Sequence, residues 1–329
     1  MATIADVARE AGLSRATVSR VINNYPYVSE EKKNLVLKAM ETLNYIPNAS
    51  AQKLRSQKTH TIGVLIPRLT NPFFAYLLEG IDTIATKHEF QLLVCQTKNS
   101  KQKEIHFLNY LKSKQVDGII LTSIENSWET IAAYISYGPI VLCNEYSFQS
   151  QVPMVRLNQY EGGYIGTRHL IEKGHLKIGY CYGEQMTQLT KDRHDGYKKA
   201  LSDFGIAFKG DWVFKRAYDL KDGQTVFQNS VAMEDPPTAF FTGSDQVAAG
   251  IIKEARIQGL SVPRDIAVIG FDDQPIASLI EPGITTIMQP AEEIGNQAMK
   301  LMMKSINNDL SHNDMDIQLP LQLVLRHST

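Results

Sequence analysis

The strongest constraint on the fold is an alternation of short apolar runs with amphipathic segments, which begins at Thr61 and continues to about residue 270. Runs such as 62–66 and 118–121 are short and rich in Ile, Val and Leu, which favours buried strands, while the segments between them repeat apolar residues at helical spacing. Strands that alternate with helices predict a parallel sheet. Because a second series begins near Tyr160, we expect two doubly wound α/β subdomains.

The two series assign most of the body to specific elements. In the first series we expect strands at 62–66, 91–96, 118–121 and 140–143, a helix with Phe74, Leu77, Leu78, Ile81 and Ile84 on its core face, and helices around 102–113 and 127–137. In the second series we expect strands at 178–182, 239–242 and 266–270, a short run at 211–214, and helices near 160–173, 190–203, 222–232 and 245–258.

Residues 3–23 predict two short helices that are joined by a tight turn. Thr3 and Asp6 form the pattern of a capping box, Gly12 suits a left-handed residue at a helix end, and Ser14 can cap the second helix. The polar side chains left on the second helix form a cationic ridge, as a recognition helix needs in a major groove: Arg15, Ala16, Thr17, Ser19 and Arg20. Periodicity alone leaves open an ordinary helical hairpin with a solvated face.

A loop over 24–27 and a third helix complete a small headpiece. Ser29 is the expected cap of that helix, and Val36, Met40 and Leu43 lie on its inner face. Residues 1–60 contain nine Lys and Arg against five Asp and Glu, a balance of +4, although the whole chain has a net charge of −1. A basic head on an acidic body is typical of a DNA-binding headpiece.

The segment 3–23 reads TIADVAREAGLSRATVSRVIN. It resembles the helix-turn-helix of the LacI/GalR (lactose-repressor) family of bacterial transcription regulators, and it differs from that motif only at Leu13, where Val is usual. The resemblance continues through the segments DGII, EGGY, RHLIEKGH, IGFD and TTI. It implies an all-α helix-turn-helix headpiece followed by a body with the type I periplasmic-binding-protein fold. The implied function is a repressor without a cofactor, which binds a pseudo-palindromic operator in double-stranded DNA.

The resemblance also implies a division of the chain. In the family the body crosses between its subdomains three times, so that each subdomain consists of two segments. The expected parts are the headpiece 1–46, a hinge helix and linker 47–60, and an effector-binding and dimerisation domain 61–329, with subdomain 1 at about 61–158 and 288–316 and subdomain 2 at about 159–287 and 317–329. Because the chain stops at Thr329, it has no room for the leucine-heptad tail that makes the lactose repressor a tetramer. We expect a homodimer.

The implied DNA contacts come from the headpiece and the hinge. The segment 48–55 is too short to be helical alone in water, so it should fold only against its dimer mate and the minor groove. Leu54 occupies the position of the family's wedge leucine, which opens a central base step. The expected DNA-binding residues are Thr3, Ser14, Arg15, Ala16, Thr17, Ser19, Arg20, Asn23, Tyr45, Asn48, Ala51, Leu54 and Arg55.

Polar and aromatic residues follow several predicted strands of the body. Ligands of open parallel sheets bind outside the carboxyl ends of the strands, and these residue types suit a hydroxyl-rich ligand such as a sugar. Arg193 and Asp272 match the family's effector-binding Arg and Asp, whereas Ser244 stands where lactose-type repressors have Asn. The expected effector-binding residues are Asn71, Phe73, Phe74, Asn144, Arg193, Tyr218, Ser244, Asp245 and Asp272.

Other sequence features exclude several classes of protein. Cys95, Cys143 and Cys181 lie far apart without metal spacing, which indicates buried free thiols in a reducing compartment. No apolar run approaches 18 residues and no signal-peptide core begins the chain, so we expect a cytoplasmic protein without membrane contact. No set of nucleophile, base and oxyanion donor is evident, so we expect neither an enzyme nor a metal site. Control by a protein corepressor, as in the family's catabolite-control branch, remains an alternative, as does a ligand-binding protein without DNA function.

The recognition ridge yields a prediction for Arg20. We expect Arg20 to bind a guanine edge, while Arg15 and Ala16 set the half-site preference, with Ala16 in contact with a thymine methyl. Arg20→Ala should therefore weaken operator binding by about 1–3 kcal/mol and relax the preference at one base pair in each half-site. Mobility shifts on operators that vary at each position measure both effects. An equal loss on every sequence would make Arg20 a phosphate contact instead.

Overall fold

The computed structural model describes residues 2–23, 25–46 and 58–329 of the chain. Its contacts divide it into two units, Met1–Lys58 and Thr59–Thr329, which we describe separately. Several predictions lie outside the described residues, namely the hinge helix at 48–55 and the proposed DNA contacts Asn48, Ala51, Leu54 and Arg55.

The first unit contains the three predicted helices. The capping box is confirmed, because the Asp6 amide donates to Thr3 Oγ1 at 3.3 Å and the Thr3 amide donates to Asp6 Oδ2 at 2.9 Å. Gly12 has a φ of +65°, which a residue with a side chain adopts only at a cost. The helices are α1 Ile4–Glu10, α2 Arg15–Ile22 and α3 Glu30–Thr42.

A small apolar core holds these helices together. Val7, Val18 and Val36, one from each helix, are fully buried against one another. Met40 and Leu43 pack beside them, as their spacing predicts. Ser14 caps α2 by accepting a hydrogen bond from the Thr17 amide at 3.1 Å. These contacts bury the apolar face of α2 and leave its polar face toward solvent.

The second unit consists of two six-stranded sheets with helices packed on them, which confirms the doubly wound α/β prediction. The strands are β1 Thr61–Ile66, β2 Gln91–Gln96, β3 Gly118–Leu121, β4 Ile140–Cys143, β5 Met154–Leu157, β6 Ile178–Cys181, β7 Val213–Phe214, β8 Ala239–Phe241, β9 Ala267–Asp272, β10 Thr285–Met288, β11 Asp316–Leu319 and β12 Gln322–Val324. The α-helices are α4 Pro72–Lys87, α5 Lys101–Lys112, α6 Trp128–Ala132, α7 Gln159–Glu172, α8 Gln188–Asp203, α9 Leu220–Val231, α10 Asp245–Ile257, α11 Ile276–Leu279 and α12 Ala291–Asn307.

The strand order defines two subdomains. The first sheet has the order β11-β5-β4-β3-β1-β2 and the second has the order β12-β10-β9-β8-β6-β7. All pairings between neighbouring strands of the described sheets are parallel except that of β10 with β12. The chain passes from one sheet to the other after β5, after β10 and after β11. We call the part built on the first sheet subdomain 1 and the other subdomain 2.

Two details differ from the sequence expectations. Strand β11 pairs with β5, so the chain enters subdomain 2 only after Leu319, later than the expected boundary at 316. This edge strand exposes Asp316 and Gln318 in alternation with half-buried residues, and its apolar pattern is therefore weak. The helix expected over 127–137 ends at Ala132 and is followed by a separate 3₁₀ turn at Ile135–Tyr137, a tightening that is common where helices end.

The three cysteines lie in the interior of the second unit. Cys95, Cys143 and Cys181 are buried and free, as predicted. Within the described ranges, no helix is long and apolar enough to span a bilayer. The same ranges contain no group of three or more His, Cys, Asp or Glu side chains arranged to hold a metal ion.

The packing of α4 against α12 yields a stability prediction. A Cβ atom added to Gly80 would lie 2.0 Å from the Glu292 carbonyl oxygen, and backbone of this kind cannot move aside cheaply. Gly80→Ala should lower the free energy of unfolding by about 1–3 kcal/mol through overpacking, although Ala favours helices by about 1 kcal/mol. Gly210→Ala is the control, since no atom lies within 4 Å of its added Cβ. Urea midpoints measure both variants, and equal midpoints would contradict the prediction.

Candidate functional site

The outward face of α2 carries the cationic ridge that its sequence predicts. Arg15, Ala16 and Arg20 are exposed, while Thr17 and Ser19 are half-buried at its margin. Neither Arg15 nor Arg20 has an ion-pair partner among the described residues. Two unpaired guanidinium groups on one short helix can bind phosphate oxygens or guanine edges.

The other expected DNA contacts in this unit have local roles as well. Thr3 is exposed, but its hydroxyl bonds Asp6 in the capping box. Asn23 is exposed at the end of α2, where its Nδ2 donates to the Ser19 carbonyl at 2.7 Å. Tyr45 is half-buried and packs against the headpiece core. Ser14 caps α2. Ser14 and Asn23 therefore lie at the two ends of α2, whereas Thr3 caps α1 and the Tyr45 ring belongs largely to the core.

A cleft lies where the carboxyl ends of the two sheets meet in the second unit. Its walls are the segments that directly follow strands in both subdomains. Eight of the nine expected effector-binding residues line it, namely Asn71, Phe73, Phe74, Asn144, Arg193, Tyr218, Ser244 and Asp272. The strand-end rule therefore brings together residues that are far apart in the sequence.

Asp245 is the exception, and its assignment to the cleft wall is wrong. Its side chain is 0% exposed and points into the interior of subdomain 2. Its Oδ1 accepts from Thr286 Oγ1 and its Oδ2 accepts from the Gln274 amide, both at 2.6 Å. Burial raises its pKa well above the usual value, with Asp272 nearby adding to the shift. Asp245 therefore holds in place the loop that carries Gln274, and it does not face the cleft.

Arg193 is buried at the base of the cleft and is held on three sides. Its guanidinium carbon lies 3.4 Å from the centre of the Phe271 ring. It donates to Gln159 Oε1 at 2.7 Å and to the Gly243 carbonyl at 3.3 Å. Gln159 in turn donates to Gln289 Oε1 at 3.0 Å. A stacked and hydrogen-bonded guanidinium is fixed in direction before any ligand arrives.

Asp272 ends β9 in a conformation that side chains rarely adopt, with a φ of +99°. Its Oδ1 accepts from Gln289 at 2.6 Å and its Oδ2 accepts from Gln274 at 2.8 Å. Burial raises its pKa to about 6, although the Arg193 charge opposes that shift. The side-chain amide of Gln274 also donates to Asn71 Oδ1 at 3.0 Å. This chain of hydrogen bonds therefore joins the two subdomains.

Further polar contacts cross the cleft. The Arg68 guanidinium lies 3.8 Å from the centre of the Tyr218 ring, and the Tyr146 hydroxyl donates to Asp192 Oδ2 at 2.5 Å. Gln185 donates to the Asn99 carbonyl at 3.1 Å. Because such contacts are individually weak, a change in the angle between the subdomains can exchange them for contacts with water.

Sequence reasoning missed several residues of the cleft wall. Ser123 and Glu125 follow β3, and Glu145 directly follows Asn144 after β4. The strand-end rule would have found these three, because β3 and β4 are predicted strands. Gln289 follows β10, which the apolar pattern does not identify, and Gln159 opens α7, where it holds Arg193 without lining the cleft itself. No sequence signal selects those two glutamines.

Two of the missed residues have unusual electrostatics. Burial raises the pKa of Glu125 to about 7, with the Glu104 carboxylate adding to the shift. Burial also raises the pKa of Glu145 to about 7, although hydrogen bonds from the Thr187 side chain and from two backbone amides oppose this shift, and the Glu125 charge adds a smaller increase. Two carboxyl groups that are costly to ionise therefore face one cleft.

The raised pKa of Glu145 predicts a pH-dependent stability difference. A carboxyl group with an unfolded pKa near 4.5 and a folded pKa near 7 stabilises the fold below about pH 4.5, and that contribution is lost as pH rises through 7. Glu145→Gln should therefore gain stability relative to the parent between pH 5 and pH 8, by up to about 3 kcal/mol. Urea unfolding at several pH values measures this gain.

Glu125 remains in both proteins, and it is easier to ionise in the variant because the repelling Glu145 charge is gone, which adds to the gain in the same direction. The exposed Glu234 provides the control, because Glu234→Gln should show no such trend. A difference between Glu145→Gln and the parent that does not change with pH would contradict the assignment.

Comparison with known proteins places both units. Residues 59–326 match the model of periplasmic binding proteins and the sugar binding domain of the LacI family, and residues 3–48 match that of bacterial regulatory proteins of the lacI family. The NTD biosynthesis operon regulator NtdR of Bacillus subtilis (strain 168) is 43% identical over 329 residues, which is 100% of both chains. Catabolite control protein A of Priestia megaterium is 36% identical over 99% of each chain.

Solved structures agree with this placement. The lac repressor dimer bound to operator and the anti-inducer ONPF superposes with a TM-score of 0.87 at 26% identity, covering 99% of this chain and 98% of that one. The complex of the transcriptional regulator CelR with cellobiose gives a TM-score of 0.75 at 26% identity, covering 100% of both chains. The chain therefore belongs to the LacI family of bacterial regulatory proteins and is a DNA-binding transcriptional regulator.

Proposed function

We propose that the chain is a repressor that binds a pseudo-palindromic operator as a homodimer and is controlled by a sugar-like effector in the cleft of its body. The observation that carries this proposal is the presence, in one chain, of a prearranged polar cleft and of two exposed arginines on α2, Arg15 and Arg20, that form no ion pair with any described residue. We place its action in the cytoplasm, where a DNA-binding regulator meets its operator.

The α2 ridge supports the DNA-binding half of the proposal. A helix-turn-helix dimer places one recognition helix in each of two successive major grooves, so each headpiece reads one half-site. Arg15, Ala16 and Arg20 are the base-reading residues in this proposal, and Thr17, Ser19 and Asn23 flank them. Thr3, Ser14 and Tyr45 would contact the backbone. The hinge residues Asn48, Ala51, Leu54 and Arg55 would bind the minor groove, as the family resemblance implies.

The cleft supports the effector half of the proposal. Ser123 Oγ and Asn144 Oδ1 are buried in its wall without hydrogen-bond partners among the described residues. Buried polar atoms are nearly always paired, so these two atoms suit the hydroxyl groups of a ligand. Phe73, Phe74 and Tyr218 offer rings to the C–H faces of a sugar. Relatives in this family have been solved with cellobiose, glucose and ribose.

Binding in this cleft would regulate the headpiece through the angle between the subdomains. A ligand there touches Asn71 and Phe73 from subdomain 1 and Arg193 and Asp272 from subdomain 2. It shifts operator binding only as far as its affinities for the two subdomain arrangements differ. A tenfold change in operator affinity needs about 1.4 kcal/mol of that coupling.

A ligand screen and one substitution test the proposal. A thermal-shift screen of mono- and disaccharides and their phosphates finds the effector, because a ligand at a hundred times its Kd adds about 2.7 kcal/mol of stability. Asp272→Asn should then weaken binding of that effector at least tenfold and remove its effect on operator affinity. Calorimetry measures the first change and mobility shift the second.

The exposed Asp211 provides a matched control, since Asp211→Asn removes the same charge outside the cleft. That variant should keep both the effector affinity and the response. If Asp272→Asn responds with unchanged affinity and amplitude, the cleft is not the regulatory site.

A further inference from the structure

The cleft wall is more acidic than a neutral sugar requires. Among the described residues that line it, four carry carboxyl groups and only Arg193 carries a cation. Two of the four carboxyl groups are already engaged. Glu184 pairs with Arg216 at 2.5 Å, and Asp272 accepts hydrogen bonds from two glutamine side chains. The negative charge of the cleft wall that these contacts do not account for is therefore that of Glu125 and Glu145.

Glu125 forms no ion pair with any residue that the structure describes. Its side chain is 7% exposed, and its Oε2 is buried without a partner at hydrogen-bonding distance among those residues, although Ser123 and Gln185 lie near enough to lower the pKa of Glu125. The negatively charged Glu104 lies beside it, and Glu104 Oε1 accepts a hydrogen bond from the Glu125 backbone amide at 2.9 Å. Lys101 is near enough to lower the pKa of Glu125 slightly, but the described residues include no ion pair between the two. A buried carboxyl group in this state is costly unless something pairs with it.

Glu145 faces the same space from the next strand. Its side chain is 4% exposed, and its Oε1 accepts from the Leu189 amide at 3.1 Å and from the Tyr146 amide at 3.3 Å. Glu125 and Glu145 both line the cleft and also a second cavity beside it. Their charges repel each other, so that Glu125 adds to the raised pKa of Glu145. The two carboxyl groups therefore form one acidic corner.

Two buried acceptor atoms lie in the wall at this corner. Asn144 Oδ1 and Glu125 Oε2 have no partner at hydrogen-bonding distance among the described residues, and the nearby Ser123 hydroxyl can donate or accept. A hydroxyl group offers one donor and no charge. An ammonium group offers three N–H donors and a positive charge, which matches two carboxyl groups and an amide oxygen.

We propose that the effector of this regulator carries a protonated amine, as an amino sugar does, and that Glu125 and Glu145 bind the ammonium group. This inference rests on the proposal that the cleft is the effector site. Arg193 and Asp272 then orient the hydroxyl groups of the same ligand from subdomain 2, while the amine lies against subdomain 1.

A matched panel of sugars tests this inference on the full chain. It contains glucose, its 2-amino, 3-amino and 6-amino deoxy derivatives, and the N-acetyl form of each amine. At least one amine should bind ten times more tightly than both glucose and its own N-acetyl form, because only the amine carries the charge. Calorimetry at pH 7 gives the affinities.

Substitution of the acidic corner identifies the residues responsible. Glu125→Gln keeps the size of the side chain and should reduce the preference for the amine over glucose to less than threefold. Glu145→Gln should do the same and serves as the second variant if the first does not fold. Glu234→Gln removes an exposed carboxylate and should leave the preference unchanged.

The outcomes separate this inference from the proposed function. If glucose binds as tightly as every amine, or if no amine binds, the ammonium assignment is overturned. An unchanged amine preference in both Glu125→Gln and Glu145→Gln also overturns it. The proposed function is judged apart from these results, by whether any sugar in the wider screen changes operator affinity. A neutral sugar that does so leaves a sugar-controlled repressor with a different effector.

Discussion

The burial of Arg193 is the constraint on which the cleft depends. A guanidinium group that is removed from water must keep its charge and satisfy its donors. Here Phe271 covers one face and the Gln159 side chain accepts two of the N–H groups. The Gln159 side-chain amide donates to Gln289 Oε1, and Gln289 in turn donates to Asp272 Oδ1. One buried cation thereby fixes the direction of three polar side chains, those of Gln159, Gln289 and Asp272.

The same network carries geometric information between the subdomains. Asp272 lies at the end of β9, and Gln274 joins its Oδ2 to Asn71 at the start of α4. Asp272 and Asn144 both have positive φ, at +99° and +69°, directly after buried strands of different sheets. Such backbone persists only where the surroundings hold it. A rotation of one subdomain against the other must therefore break or rearrange bonds in which Asp272 and Gln274 take part.

Sequence reasoning recovered the parts of this arrangement that rest on local physics. Apolar runs such as 118–121 and 140–143 coincide with β3 and β4, because buried parallel strands need continuous Ile, Val and Leu. Thr3 and Ser14 cap helices as their spacing predicts. The strand-end rule could not place Asp245, since its side chain turns inward to bond Thr286 and the Gln274 amide. The pairing of β11 with β5 could not be predicted either, because the paired residues are 162 positions apart, as in Asp316 and Met154, and such pairing leaves no local pattern in the sequence.

The acidic corner supplies a physical source for the switch. The cleft wall buries two carboxyl groups that repel each other and acceptors that have no partner among the described residues, and an opening of the cleft would expose these groups to water. A closed cleft is therefore disfavoured by the burial of Glu125 and Glu145, the same two groups that would bind a cation. A ligand that pairs with them relieves this cost only when the cleft is closed, which gives the difference in affinity between the two arrangements that regulation requires. A ligand without the charge leaves the repulsion in place and shifts the equilibrium less.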